Sequence, residues 1–116
     1  MDAETPDETA GRDAALVAAF SVLGKRWNGV LLGALESGSA SFSELRRSLG
    51  GISDTVLSER LSELTHCELI SREVDGGPPV AVRYGLTDRG QALMPALNKL
   101  VGWSKENLPQ PEVRSA

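Results

Sequence analysis

Residues 41–64, SFSELRRSLGGISDTVLSERLSEL, read as two short helices around a tight turn, and that reading decides the fold. Ser41 and Glu44 stand at capping-box spacing, so the Ser41 hydroxyl can accept from the Glu44 amide while the Glu44 carboxylate accepts from the Ser41 amide. A helix is therefore expected over Phe42 to Leu49, stopped by Gly50-Gly51. Ser53 offers a second N-cap, and the carboxylate of Asp54 suits the positive end of a helix dipole, so the next helix should run from about Asp54 to His66. At about 100° per residue, Leu57, Leu61 and Leu64 share one face, whereas Thr55, Ser58, Glu59 and Ser62 share the other. The leucine face belongs to a core; the polar face is free to touch a partner.

Upstream, from Asp13, the apolar residues Leu16, Ala19, Phe20 and Leu23 recur at three- and four-residue steps, which predicts a helix capped by Gly24. Trp27, Val30, Leu31, Ala34 and Leu35 repeat the spacing as far as Ser37-Gly38, a second helix of about ten residues. Downstream, Leu69 to Val74 and Val80 to Leu86 are β-prone and enclose the turn residues Asp75-Gly76-Gly77-Pro78-Pro79, so they read as a hairpin. Thr87-Asp88 starts a last helix with the apolar stripe Leu93, Leu97, Leu100 and Val101, and Pro95 inside it predicts a kink. Residues 1–11 contain Pro6 and Gly11 and show no period, so they are expected as an acidic flexible tail. Residues 12–108 then form the folded domain and 109–116 a C-terminal tail.

The chain has 116 residues, 41% hydrophobic and 24% charged, which allows one globular domain and excludes a two-domain enzyme. Its formal charge of -4 is concentrated at one end: Asp2, Glu4, Asp7, Glu8 and Asp13 face only Arg12, so the remaining acids and bases number 11 each. A neutral body neither supports nor excludes DNA as a partner, because DNA-binding patches are local. The one cysteine, Cys67, has no second thiol for an intramolecular disulfide or a zinc site, so no metal and no cofactor are expected. His66, the one histidine, is Cys67's neighbour, but adjacent helix residues point in different directions and make no nucleophile–base pair. Cys67 reads as a structural thiol, and no enzymatic activity is expected. No apolar run is long enough for a membrane span, and the acidic N-terminus does not look like a signal peptide, so a cytoplasmic location is expected.

Two helices around a tight turn, followed at once by a hairpin, is the order of a winged helix-turn-helix, mainly α with a small β-hairpin wing. Particular residues sharpen this: Gly24-Lys25-Arg26-Trp27, Phe42-Ser43-Glu44-Leu45-Arg46-Arg47, Gly51-Ile52-Ser53 with Leu57, Arg60-Leu61 and Leu64, then Val82-Arg83-Tyr84-Gly85-Leu86-Thr87 and Gly90. From about Leu16 to Trp103 the chain resembles the HxlR family of transcription regulators, relatives of the MarR regulators. The resemblance implies a homodimer that pairs its terminal helices and reads a palindromic operator in double-stranded DNA with two recognition helices. Three departures stand out. A cysteine ahead of the first helix, used for redox sensing in some members, is missing; Ala14 and Ala15 are there instead. Pro78-Pro79 is followed by Val80-Ala81-Val82 where many members have a basic residue, which weakens minor-groove contact by the wing tip. Glu68 replaces the usual glycine after the recognition helix, so a looser helix exit is expected.

On this reading the DNA-contacting candidates are Ser43, Arg46, Arg47, Ser53, Thr55, Val56, Ser58, Glu59, Arg60 and Arg83. Arginines would hold phosphates, and hydroxyls and a carboxylate would read base edges. Arg60 also stands within expected reach of Glu44. The dimer candidates are Leu16, Phe20, Leu93, Leu97, Leu100 and Trp103, with Trp27, Trp103 and Phe20 as core or interface anchors. The competing reading is a winged-helix protein-interaction module without specific DNA binding, since fold does not dictate function. The target promoter, the sign of regulation and the identity of a small-molecule effector are not legible.

Overall fold

The computed structural model describes residues 6–112 and contains, in order, α1 (Pro6–Leu23), α2 (Asn28–Ala34), α3 (Phe42–Ser48), α4 (Asp54–His66), β1 (Ile70–Asp75), β2 (Ala81–Leu86) and α5 (Asp88–Asn107). Both expected caps of the central helix pair form. Ser41 and Glu44 close a full capping box, with the Glu44 N–H donating to Ser41 Oγ at 3.2 Å and the Ser41 N–H to Glu44 Oε1 at 2.8 Å. The Val56 N–H donates to Ser53 Oγ at 3.1 Å. Between the helices Gly51 has φ +92°, a left-handed value that side chains with a Cβ resist.

The core is a leucine cluster. Leu31, Leu32 and Leu35 from α2, Leu45 and Leu49 around α3, and Leu57, Leu61 and Leu64 from α4 are all buried, joined by Ile52, Leu69, Ile70 and Met94. The expected face of α4 is thus the buried one. The strands pair antiparallel from Ile70↔Leu86 to Asp75↔Ala81, and Ala40, in the loop between α2 and α3, forms a bridge with Tyr84 through backbone bonds of 2.9 and 2.8 Å. That third strand-like contact clamps β2 from its other edge.

Some expectations need correction. Residues 6–11, read as part of a tail, are the first turns of α1: a proline costs no hydrogen bond in a first helical turn, Asp7 and Glu8 suit the positive end of the dipole, and the following alanines are strong helix formers. Residues 1–5 and 113–116 of the expected tails lie outside the described residues. The second helix is shorter than expected, because Trp27 takes φ 84° and stands outside it as a cap residue. The last helix spans Asp88 to Asn107 with Pro95 inside it. Leu93 and Leu97, expected at a dimer face, pack partly against the chain's own core and keep part of their surface exposed.

The exit of α4 is tight and not loose. Glu68 takes φ 63°, the left-handed conformation normally left to glycine. Its N–H donates to Thr65 O and the Leu69 N–H to Leu64 O, both at 3.0 Å, which is the paired bonding of a Schellman motif. α5 is seated on the same junction. The Thr87 N–H donates to Leu69 O at 3.1 Å, and the Thr87 hydroxyl donates to Glu68 O at 2.6 Å while accepting from the Gly90 N–H at 3.1 Å. A Cβ on Gly90 would overlap the Leu69 carbonyl oxygen, so only glycine fits there.

Two variants test this junction. Glu68→Gly removes a left-handed cost of about 1 to 2 kcal/mol and adds a glycine entropy cost of about 0.5 to 1 kcal/mol, so a net gain of about 0.5 kcal/mol is expected in urea unfolding. Gly90→Ala should destabilise by about 2 to 3 kcal/mol, because the atom it meets is backbone and cannot rotate away. Equal stability of both variants and the parent would contradict this account.

Candidate nucleic-acid interface

The surface built by α3, α4 and the hairpin holds most of the candidate residues. On α4, Thr55, Ser58 and Glu59 are exposed, as is Ser62 one turn further on, opposite the buried Leu57, Leu61 and Leu64. Val56 is half-buried against the core, and the Ser53 hydroxyl is engaged as the N-cap, so these two contribute shape more than free polar groups. On α3, Ser43, Arg46 and Arg47 stand on the outer side, with Ser43 Oγ 3.4 Å from Ser41 Oγ.

The arginines divide by what already holds them. Arg46 Nη1 lies 3.1 and 3.3 Å from the two carboxylate oxygens of Asp54, a pair that ties α3 to the start of α4. Both side chains are more than half exposed, and such pairs contribute about 0 to 1 kcal/mol, so Arg46 can exchange Asp54 for a phosphate at little cost. Arg83 donates to Ser39 Oγ at 3.0 Å and to Ser39 O at 2.8 Å, and its Nη2 stands 3.5 Å from Glu44 Oε1. The partner expected for Arg60 therefore belongs to Arg83. Arg60 instead meets Glu63 at 3.3 Å, one turn along α4, with its side chain 19% exposed. Its partner Glu63 also meets Lys25 and Asn28, which lie between and at the start of the first two helices.

Glu63 anchors a polar node that spacing alone does not reveal. It accepts from Lys25 Nζ and, at 3.1 Å, from the Asn28 side-chain amide, which also donates to Val22 O at 2.8 Å. Asn28 is fully buried, the one buried polar residue among those described. The node joins the end of α1, the start of α2 and the last turn of α4. The Lys25 hydrogen bond lowers the Glu63 carboxyl below its ordinary value of 4.5, against the opposing effect of desolvation, with Asn28 and the charges of Lys25 and Arg60 adding to the lowering. Glu44 is lowered chiefly by the Ser41 backbone N–H and then the Ser41 side chain, with smaller contributions from the charges of Arg83 and Arg47.

A cleft of about 530 Å³ runs between α4 and the hairpin, lined by Ser58, Ser62, Thr65 and His66 on one side and Arg72 and Tyr84 on the other. Apart from Ser58, these residues are not among those that the sequence reading assigns to the site. The available signal is the four-residue spacing of Ser58, Ser62 and His66 on one helix stripe; the position of Arg72 opposite Tyr84 needs the strand register. Among the described residues no group of three His, Cys, Asp or Glu side chains could hold a metal ion, and no single helix is long and apolar enough to cross a membrane.

Fold and surface together define a winged helix-turn-helix transcription regulator. A family model described as HxlR-like helix-turn-helix matches residues 22–112, and the chain belongs to that family. It is similar to the HTH-type transcriptional regulator YodB of Bacillus subtilis (strain 168), 40% identical over 88 residues that cover 76% of this chain and 79% of the relative. The structure of reduced YodB superposes with a TM-score of 0.75 at 33% identity, covering 95% of this chain and all of that one. A transcriptional regulator of the MarR family from Enterococcus faecalis V583 gives a TM-score of 0.77 at 33% identity, covering 91% of this chain and 93% of that one.

The Glu63 node has a pH signature. A carboxylate whose value is lowered on folding contributes stability that is present above its unfolded value, near 4.5, and lost as pH falls through its lower folded value. The melting temperature is therefore expected to drop on acidification below about pH 4.5. In Glu63→Gln it should start lower at pH 7 and fall less steeply in that window. Parallel acid profiles for the two proteins would remove Glu63 from the explanation.

Proposed function

We propose that this regulator acts in the cytoplasm as a homodimer on a palindromic operator, with α4 of each protomer in a major groove of double-stranded DNA. One observation carries the reading: α4 buries Leu57, Leu61 and Leu64 and presents Thr55, Ser58 and Glu59 outward from a capped N-terminus. Hydroxyls can donate to or accept from base edges, and a carboxylate accepts from cytosine N4. Arg46 and Arg47 stand beside that face to hold phosphates, which positions the helix without reading sequence. Arg83, held by Ser39 and Glu44, places the hairpin against α3, and Arg60 pairs with Glu63 one turn along α4.

The homodimer reading rests on surface the chain leaves uncovered. Every α1 residue from Arg12 to Ser21 is exposed, including Leu16, Val17 and Phe20, and α5 exposes Leu100, Val101 and Trp103. Most helical stability in proteins comes from tertiary packing, so an uncovered apolar face on each terminal helix calls for burial against a second copy. Light scattering is expected to give twice the chain mass of 12.3 kDa at micromolar concentration, and Phe20→Glu to give the monomer mass. A monomeric parent would sink the dimer.

Selection from a random duplex library tests the DNA reading. The parent should enrich a palindrome; Ser58→Ala and Glu59→Ala should change the preferred bases, each substitution costing about 1 to 3 kcal/mol at its own base pair. Arg47→Ala should weaken binding about equally on all sequences. A parent that enriches no sequence at low salt would favour the alternative, a winged-helix protein-interaction module, which the absence of a basic residue from Asp75 to Val82 also favours.

A further inference from the structure

We propose that the cleft between α4 and the hairpin seats one phosphodiester strand of the bound duplex, with Arg72 as its cation, so that the base of the wing and not its tip makes the wing's DNA contact. This rests on the DNA reading above and assigns a role to residues outside it. The shape fits a strand: the cleft is open, about 530 Å³ in volume, and continuous with the exposed face of α4 through Ser58, which belongs to both. Ser58, Ser62 and His66 recur every four residues and so form one polar stripe along the helix wall.

The charge arrangement selects an anion. Among the described residues no carboxylate lines the cleft. The hairpin from Ile70 to Leu86 carries two bases, Arg72 and Arg83, and Arg83 is already held by Ser39 and Glu44. Arg72 is exposed and has no hydrogen bond or ion pair among the described residues, in contrast to Arg46, Arg60 and Arg83. The tip is the wrong chemistry for a phosphate: Asp75 is followed by Gly76, Gly77, Pro78, Pro79, Val80 and Ala81, with no donor side chain.

The cleft is also rigid where it needs to be. Arg72 stands opposite Tyr84 in the strand register, and Tyr84 is fixed from its other side by the paired backbone bonds to Ala40. The opposite wall is α4, whose Leu61 and Leu64 are locked in the core. The Thr65 hydroxyl already donates to Leu61 O at 2.7 Å, which leaves Ser58, Ser62, His66, Tyr84 and Arg72 as the groups able to meet a phosphate.

The test is the salt dependence of binding to the duplex enriched by the parent, for the parent, Arg72→Ala, Arg72→Lys and the tip variant Val80→Ala. Removing one phosphate interaction lowers the slope of log affinity against log salt by about 0.9, so Arg72→Ala should lower it by about one unit per protomer and weaken matched and scrambled duplexes equally. Arg72→Lys should restore the slope, and Val80→Ala should leave it unchanged. Ethylation interference should show one or two phosphates beside the major-groove contact that matter to the parent and not to Arg72→Ala. An unchanged slope in Arg72→Ala, or a loss confined to particular base pairs, overturns the proposal and leaves the α4 reading intact. A parent that binds no duplex overturns both.

Discussion

The backbone junction at Glu68 and Leu69 is the constraint on which the functional surface depends. Three elements meet there. α4 ends in a Schellman turn through Glu68, β1 leaves from Leu69, and Thr87 at the head of α5 bonds both residues. Gly90 then lets α5 pass within a distance of the Leu69 carbonyl that no side chain would permit. The angle between α4 and the hairpin, and hence the cleft between them, follows from this close packing of main chain on main chain. Backbone hydrogen bonds hold their geometry far more tightly than side-chain contacts do, because their donors and acceptors have no rotamers to explore.

Around that junction the chain divides its polar side chains between building and binding. Glu44, Glu63 and Asp54 each engage an arginine or lysine, and in doing so they position α3, α4 and the hairpin relative to one another. Arginine is suited to this work because its planar fork can meet two acceptors at once, as Arg83 does with Ser39 and Glu44. What is left over is informative. Arg47 and Arg72 make no salt bridge among the described residues, one on α3 and the other on β1, the two elements that adjoin α4 in the chain. A net charge of -4 thus conceals local positive charge at Arg47 and Arg72.

The terminal helices follow a different economy. The leucine core is closed by α2, α3, α4 and the start of the hairpin, with α5 contributing chiefly Met94, and α1 adds only partial contacts through Val22 and Leu23. Nonetheless α1 is connected to α4 through the Glu63 node, which reaches Val22 O by way of Asn28. A rearrangement at the end of α1 would be felt in the last turn of α4 through two hydrogen bonds and one ion pair.

Local elements and their order are written in the chain itself. Capping residues act within four positions of themselves, and a leucine repeat projects onto one face whatever surrounds it, so Ser41, Ser53, Thr87 and the buried stripe of α4 are all legible without coordinates. The start of α1 is less so, since Pro6 and Gly11 resemble tail residues until Asp7, Glu8 and the alanines are weighed beside them. Tertiary structure settles the rest. Whether Arg60 or Arg83 takes Glu44, whether Asn28 is buried, and whether Arg72 faces α4 all depend on contacts between residues far apart in the chain. The left-handed turn at Glu68 belongs to the same group. Local preference disfavours it, and it persists because Leu69, Thr87 and Gly90 close on it from elements that meet only in the folded molecule.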